Sequence, residues 1–216
     1  MGRFQLAFCY LYSFFIALRY LTLKEALRHQ LLIHPCVKIK ELHRGSIILS
    51  NAQAKLIFGF NGTLGQSNCQ SIIFIERGSH LVLYGLTTMA KGTRLIIDGG
   101  QLEIGQRFFC NGDCFIRSNQ RICLGNDNLF GWNVTLNTTV GHAVSHAGVE
   151  KKQEGDINIG NHVWVGAHAT IGKNVDIAHD CVIGQHSVVT RSCKDPHCLI
   201  AGTPAKVVAT EYSWRE

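Results

Sequence analysis

Proline is nearly missing from this chain, with 3 in 216 residues, and charged residues make up only 17%. A proline-rich linker, a collagen repeat, a highly charged disordered chain and a coiled coil are excluded on those grounds. No apolar run reaches the roughly 18 residues that a membrane-spanning helix requires. The nine cysteines contain no CxxC pair, and the spacings 110/114 and 193/198 lack the second half of a zinc signature. The expectation is nine reduced thiols, many of them buried as small apolar residues. Glycine, in contrast, is abundant, with 22 residues.

Charge is unevenly placed. Residues 1–44 carry seven basic side chains (Arg3, Arg19, Lys24, Arg28, Lys38, Lys40 and Arg44) against Glu25 and Glu41. That segment holds +5 of the formal +6, so the remaining body is almost neutral. A near-neutral body argues against nucleic-acid binding. The apolar run FQLAFCYLYSFFIAL at 4–18 resembles the core of a signal peptide, but no small-x-small cleavage site follows it. Leu6 stands where N-myristoylation needs Ser or Thr. The segment predicts an apolar helix that packs on its own domain or touches a membrane surface through residues 1–20. Thr22 with Glu25 makes a capping box for a second helix, with Leu23, Ala26, Leu27 and Leu31 on one apolar face and His34-Pro35 as the stop.

From residue 159 the chain repeats every six residues. Ile159, Val165, Ile171, Ile177, Ile183 and Val189 lead successive units, and glycine follows at 160, 166, 172 and 184. The fifth positions, Val163, Ala169, Val175, Cys181 and Ser187, are mostly small. Neither a helix nor an alternating strand gives this period. A triangular solenoid does: each unit is a short strand plus a corner, and three units make an eighteen-residue coil. Ile159 then stacks on Ile177, Val165 on Ile183 and Ile171 on Val189. Six-residue spacing is already present at Ile104, Cys110, Ile116 and Ile122, and it resumes two residues out of phase at Leu124, Phe130 and Leu136. Residues 45–103 are looser. The reading is an all-β parallel β-helix over 45–203, a helical segment over 1–44 and a tail over 204–216. One polar excursion, GHAVSHAGVEKKQEGD at 141–156, leaves the solenoid, as functional loops do.

The motifs TTVGH, IGNHVWVGA, VIGQHSVVTR and IAGTPAKVV occur in that order over 131–208. In this they resemble the hexapeptide-repeat acyltransferases, and within them the sugar and polysaccharide O-acetyltransferases. The leader RYLTLKEALRHQLLIHPCVKI resembles the leader helices of enzymes that decorate capsule or lipopolysaccharide sugars. The resemblance implies a left-handed β-helix, a homotrimer with active sites between subunits, acetyl-CoA as donor, a sugar or polysaccharide acceptor and no metal. The implied location is the cytoplasm, with contact to the inner face of the membrane.

Attack of a hydroxyl on a thioester needs a general base, and imidazole suits that task near neutral pH. Among eleven histidines, His142 follows a strand, opens the excursion and matches the family's base. His146, four residues on, is the competing candidate and is otherwise assigned to the acceptor side. Val140 stands where an acidic residue often precedes this histidine, so the partner that orients His142 is open among Asp113, Asp127 and Glu150. By resemblance the Ala167 N–H steadies the oxyanion, while Trp164, Gly166, Gly184 and Gln185 lie along the pantetheine arm. Thr190, Arg191 and Lys206 meet the CoA phosphates, and Asn111 in FFCNGDC contacts the acceptor. His162, His168 and His186 hold the fourth positions of their units, where side chains face outward. Alternatives from the sequence are N-acetylation of a nucleotide-linked amino sugar and a non-catalytic scaffold or carbohydrate-binding module.

Overall fold

A computed structural model describes residues 3–62 and 67–215. The chain winds as a parallel β-helix with three flat faces. Eight parallel strands form the first face, from Leu31–Ile33 to Leu199–Gly202, and Ala205–Ala209 adds an antiparallel ninth. Seven strands form the second face, from Lys38–Glu41 to Val188–Val189, and six the third, from Ile47–Leu49 to Val175–Ile177. The stacking expected from the period is observed: Ile159 pairs with Ile177, Val165 with Ile183 and Ile171 with Val189. All six lead positions and all five fifth positions are buried, so each short strand points its aliphatic residue into the prism and each corner its small one. Six of the nine cysteines are buried, five of them in the prism core and Cys9 in the N-terminal helix.

The corners explain the rest of the repeat. His162, His168, Asn174, Asp180 and His186, the fourth residues of five successive units, all have φ between 55° and 61°. Asn, Asp and His are the non-glycine residues that best tolerate this left-handed conformation. Glycine is needed for a different reason, the close stacking of coils. At the edge joining the third face to the first, a Cβ on Gly105 would lie 2.6 Å from the Gly125 carbonyl carbon, and one on Gly160 2.6 Å from His179 N.

Two boundaries differ from the sequence reading. The solenoid begins at Leu31, inside the segment read as helical, because Leu31–Ile33 already pairs with Leu56–Phe58. The tail is not separate, since Ala205–Ala209 pairs back on the last coil. The helical segment itself comprises α1 (Arg3–Tyr20) and α2 (Leu23–Leu27). Thr22 and Glu25 do form the capping box. α2 is short because His29 turns to φ 51° and the chain enters a strand at Leu31. The four-leucine/alanine face therefore does not form: Ala26 is buried, but Leu23 and Leu27 face solvent. α1 covers the free edge of the first strand, where Ser13 Oγ donates to Ile33 O (3.0 Å) and accepts from Ile33 N (2.9 Å). Ala17, Leu21 and Ala26 join the core there.

Candidate active site

The sequence candidates fall on two different edges of the prism. The edge joining the first face to the second carries Asn111, Ala167, Gly184 and Gln185 at the corners of successive coils. Its backbone is bonded from coil to coil: Gly166 N donates to Ile183 O (2.8 Å), His168 N to Trp132 O (2.7 Å) and His186 N to Ala167 O (3.0 Å). Among the described residues, the N–H groups of Ala167 and Gln185 have no acceptor. The edge joining the third face to the first is different. There Asn126 Oδ1 caps Gln106 N at 2.7 Å, and Asn161 Oδ1 caps Asn126 N at 2.8 Å. A side-chain ladder takes up these two corner donors on the third-to-first edge, and among the described residues the Ala167 and Gln185 N–H groups have no such cap.

Gly166 has a requirement of its own. A Cβ there would meet Gln185 N and Ile183 O, each at 2.8 Å, so coil stacking alone demands glycine at this position. Gly184 is similarly crowded, by Ala201 Cβ at 2.9 Å. Lys206 is exposed on the terminal strand, opposite Ala201. Thr190 and Arg191 are exposed after the last second-face strand, one edge away.

His142 lies on that second edge, where the chain leaves the second face after Thr135–Asn137 and returns on the third at Ile157. The excursion is an ordered hairpin. Thr139 bridges Glu154, and Val144–His146 pairs antiparallel with Val149–Lys151. Ala147 (φ 50°) and Gly148 (φ 75°) make its two-residue turn, as a primed hairpin turn requires. His142 and His146 are both exposed, and Val140, Val144 and Val149 also face solvent. Of the acidic candidates to orient His142, Asp113 accepts from Ser67 Oγ, Asp127 pairs with Arg107, and Glu150 is exposed on the hairpin.

Asn111 borders a cavity of about 520 Å³ on the outer side of the first face, lined by Phe109, Leu129, Leu86, Thr88 and Arg107. Trp164 projects from the same face but is met by the tail. Trp214 lies 6.2 Å from its ring, stacks on His162 at 4.4 Å and donates Nε1–H to His162 O at 3.0 Å. Trp164 is thus packed under the tail. The sequence carried no signal for this cover beyond an isolated aromatic near the C-terminal end.

The corner histidines stack as expected, His168 on His186 with centroids 4.6 Å apart and planes 3° from parallel. Asp180 lies 2.6 Å from Nδ1 of both His162 and His179, and the ligand atoms of His179, Asp180 and His197 lie within 4.8 Å of one another. The hydrogen bonds from His179 and His162 hold the Asp180 carboxyl below its ordinary value. A depressed carboxyl adds stability above its unfolded pKa and loses it as pH falls through the folded one. Asp180→Asn is therefore expected to cost roughly 0.2–1 kcal/mol at neutral pH. Thermal unfolding compared across pH checks this: the gap should close below about pH 3.9, the ordinary carboxylate value.

Eighteen-residue coils of three six-residue units, stacked into a left-handed parallel β-helix with glycine at the corners, make up the fold of the hexapeptide-repeat proteins, and this chain has that architecture. Residues 156–191 match the family described as bacterial transferase hexapeptide (six repeats). The chain is 36% identical over 115 residues to the galactoside O-acetyltransferase of Escherichia coli K12, covering 51% of this chain and 54% of that protein. It is 28% identical over 200 residues to an uncharacterized 24.8 kDa protein in the cps region of Klebsiella pneumoniae, covering 93% and 88%. The chain spans about half the length of several of the curated relatives it matches. Among solved structures, an N-acyltransferase from Bacillus cereus bound to coenzyme A and dTDP-4-amino-4,6-dideoxyglucose aligns with TM-score 0.51. That alignment covers 86% of this chain and 82% of the other at 14% identity, a likeness of fold.

Proposed function

We propose that the protein transfers an acetyl group from acetyl-CoA to a sugar hydroxyl, in the biosynthesis of a capsule, exopolysaccharide or lipopolysaccharide. The observation that carries this reading is the open Ala167 N–H on the first-to-second edge, where among the described residues the corner N–H groups of Gly112, Trp132 and Gln185 are open as well. A tetrahedral oxyanion is stabilised by a donor held in place before the charge develops. The open backbone at Gln185 continues the same edge toward Lys206, and Lys206 and Arg191 supply cations for the anionic nucleotide end of CoA. His142 takes the hydroxyl proton as the oxygen attacks the thioester carbonyl carbon. Ala167 N–H receives the oxyanion, the C–S bond breaks, and the proton passes to the departing CoA sulfur.

A covalent route through Cys114, Cys123, Cys181, Cys193 or Cys198 is disfavoured by the thiols themselves. The hydrogen bond with Cys110, followed by burial, pushes Cys114 well above the ordinary thiol value. Burial raises Cys123, Cys181, Cys193 and Cys198. A raised thiol carries little thiolate and is a poor nucleophile.

The base and the oxyanion donor occupy separate edges of one chain, so a second copy is needed to bring them together. The exposed valines of the hairpin provide an apolar contact for it, and an isolated two-stranded hairpin is marginal without such cover. A homotrimer in the cytoplasm, with sites between subunits, satisfies this arrangement. Mixing His142→Ala chains with Lys206→Glu chains, each impaired alone, is expected to restore part of the activity. No recovery in verified mixed oligomers would place the whole site in one chain.

Acetyl-CoA binding is the simpler test. Arg191→Ala and Lys206→Ala are each expected to weaken acetyl-CoA binding several-fold by calorimetry, with a smaller effect on a pantetheine fragment that lacks the nucleotide. Unchanged affinity in both variants would move the nucleotide site elsewhere. Product analysis on nucleotide sugars and oligosaccharides then separates O- from N-acetylation.

A further inference from the structure

α1 is apolar on two opposite sides. One side, Cys9, Ser13 and Ala17, is buried against the first strand and seals the end of the prism. The opposite side presents Phe4, Phe8, Leu11 and Phe15, which at 100° per residue fall on one stripe. Their exposures are 94%, 59%, 57% and 62%. Leu23 and Leu27 of α2 add to the exposed apolar surface, at 62% and 61%. Hydrophobic side chains exposed singly are ordinary, but a contiguous stripe on one helix marks a contact surface.

The charges nearby select the partner. Among the described side chains of residues 4–30, the exposed ionised groups are Arg19, Lys24 and Arg28. The one acidic residue, Glu25, is engaged by Thr22 in the capping box. The exposed charges of the two helices are cationic, and in the body beside Arg19 stand Lys40 and Glu41. Aromatic and leucine side chains flanked by basic residues are what an interfacial helix offers to anionic lipid. Among the described residues no helix is long and apolar enough to cross a membrane, so α1 lies along the surface. The helix caps the end of the solenoid; Phe4 and Phe8 border a cavity shared with His34, Pro35 and Asn61, and Leu11 and Phe15 are more than half exposed.

We infer that the Phe4–Phe8–Leu11–Phe15 stripe of α1 docks the protein flat on an anionic phospholipid surface, with Arg19, Lys24 and Arg28 meeting the headgroups. Attachment is measured without acetyl transfer, so failure of the catalytic reading leaves it standing, and the reverse.

The test is co-sedimentation of the full chain with vesicles of phosphatidylcholine alone and of phosphatidylcholine mixed with phosphatidylglycerol. Wild type is expected to sediment with the mixed vesicles and at least several-fold less with the neutral ones. Phe4→Ser/Phe8→Ser/Leu11→Ser/Phe15→Ser is expected to abolish sedimentation while circular dichroism stays unchanged. Arg19→Ser/Lys24→Ser/Arg28→Ser should remove the preference for phosphatidylglycerol. A Phe15→Trp variant, which keeps the stripe apolar, gives a readout even where the serine variant fails to fold. Its fluorescence is expected to be quenched by brominated acyl chains beyond the quenching seen in wild type. No sedimentation of wild type, no extra quenching of Phe15→Trp, or a serine variant that changes oligomeric size without changing lipid binding would each overturn the inference. The last outcome would assign the stripe to a second copy of the chain.

Discussion

Replacing His142 by alanine is expected to lower the rate of acetyl transfer by roughly 10²–10⁴-fold, the usual contribution of a positioned general base. Acetyl-CoA affinity should stay close to wild type, because Arg191 and Lys206, the cations assigned to its nucleotide end, are untouched. The loss should appear in kcat, since the proton moves only as the hydroxyl attacks. His146→Ala is the comparison variant. It sits on the same hairpin, in a paired strand and likewise exposed, so a general disturbance of the hairpin would affect both variants alike. A selective loss in His142→Ala supports its role as base. Near-full activity in His142→Ala with a large loss in His146→Ala would transfer that role to His146. Steady-state release of CoA with acceptor present, and without it as the background, provides the measurement.

The solenoid was legible because its constraints are local and repeated. Each lead aliphatic from Ile159 to Val189 faces the same interior, and each corner imposes the same backbone, so both selections return every six residues. The corner histidines were legible as outward-facing for the same reason; the left-handed φ that favours them is a property of the folded corner. The start of the solenoid at Leu31 was hidden because its first coils use longer strands and irregular corners, with a register shift between Ile39 and Glu41. α2 was overextended because the capping box fixes where a helix begins and is silent on where it ends; His29 in the left-handed region decides that. The candidate site divided in the same way. The resemblance to the hexapeptide-repeat acyltransferases named Ala167 and Gln185, but the separation of His142 onto another edge depends on which face precedes the excursion. The cover of Trp214 over His162 joins positions 52 apart and has no periodic signature.

Phe130→Ala is expected to destabilise the fold by about 3–5 kcal/mol, the range for removing a buried aromatic ring. Phe130 is fully buried in the middle of the first face, in register with Cys110 on one side and Val165 on the other. Its ring meets Phe108 edge to face, with centroids 5.0 Å apart and planes at 83°. A site on a flexible helix surface can shrink around a lost side chain. Here both neighbouring coils are pinned, by Asn111 N to Phe130 O at 2.9 Å and by Gly131 N to Val165 O at 2.8 Å, so the cavity stays open. A loss of this size is a large share of the 5–15 kcal/mol that holds a typical domain together. The effect should also be local in origin, because a solenoid is stabilised chiefly by contacts between adjacent coils. Urea unfolding should show a lower midpoint, and hydrogen exchange should accelerate first in the coils around residues 108–136. Those coils carry Asn111 and lie directly against Gly166 and Ala167, so loosening there should reach the first-to-second edge before it reaches the hairpin. A destabilisation under about 1 kcal/mol would mean that the coils do close over the gap and that the face is more compliant than its hydrogen bonding implies.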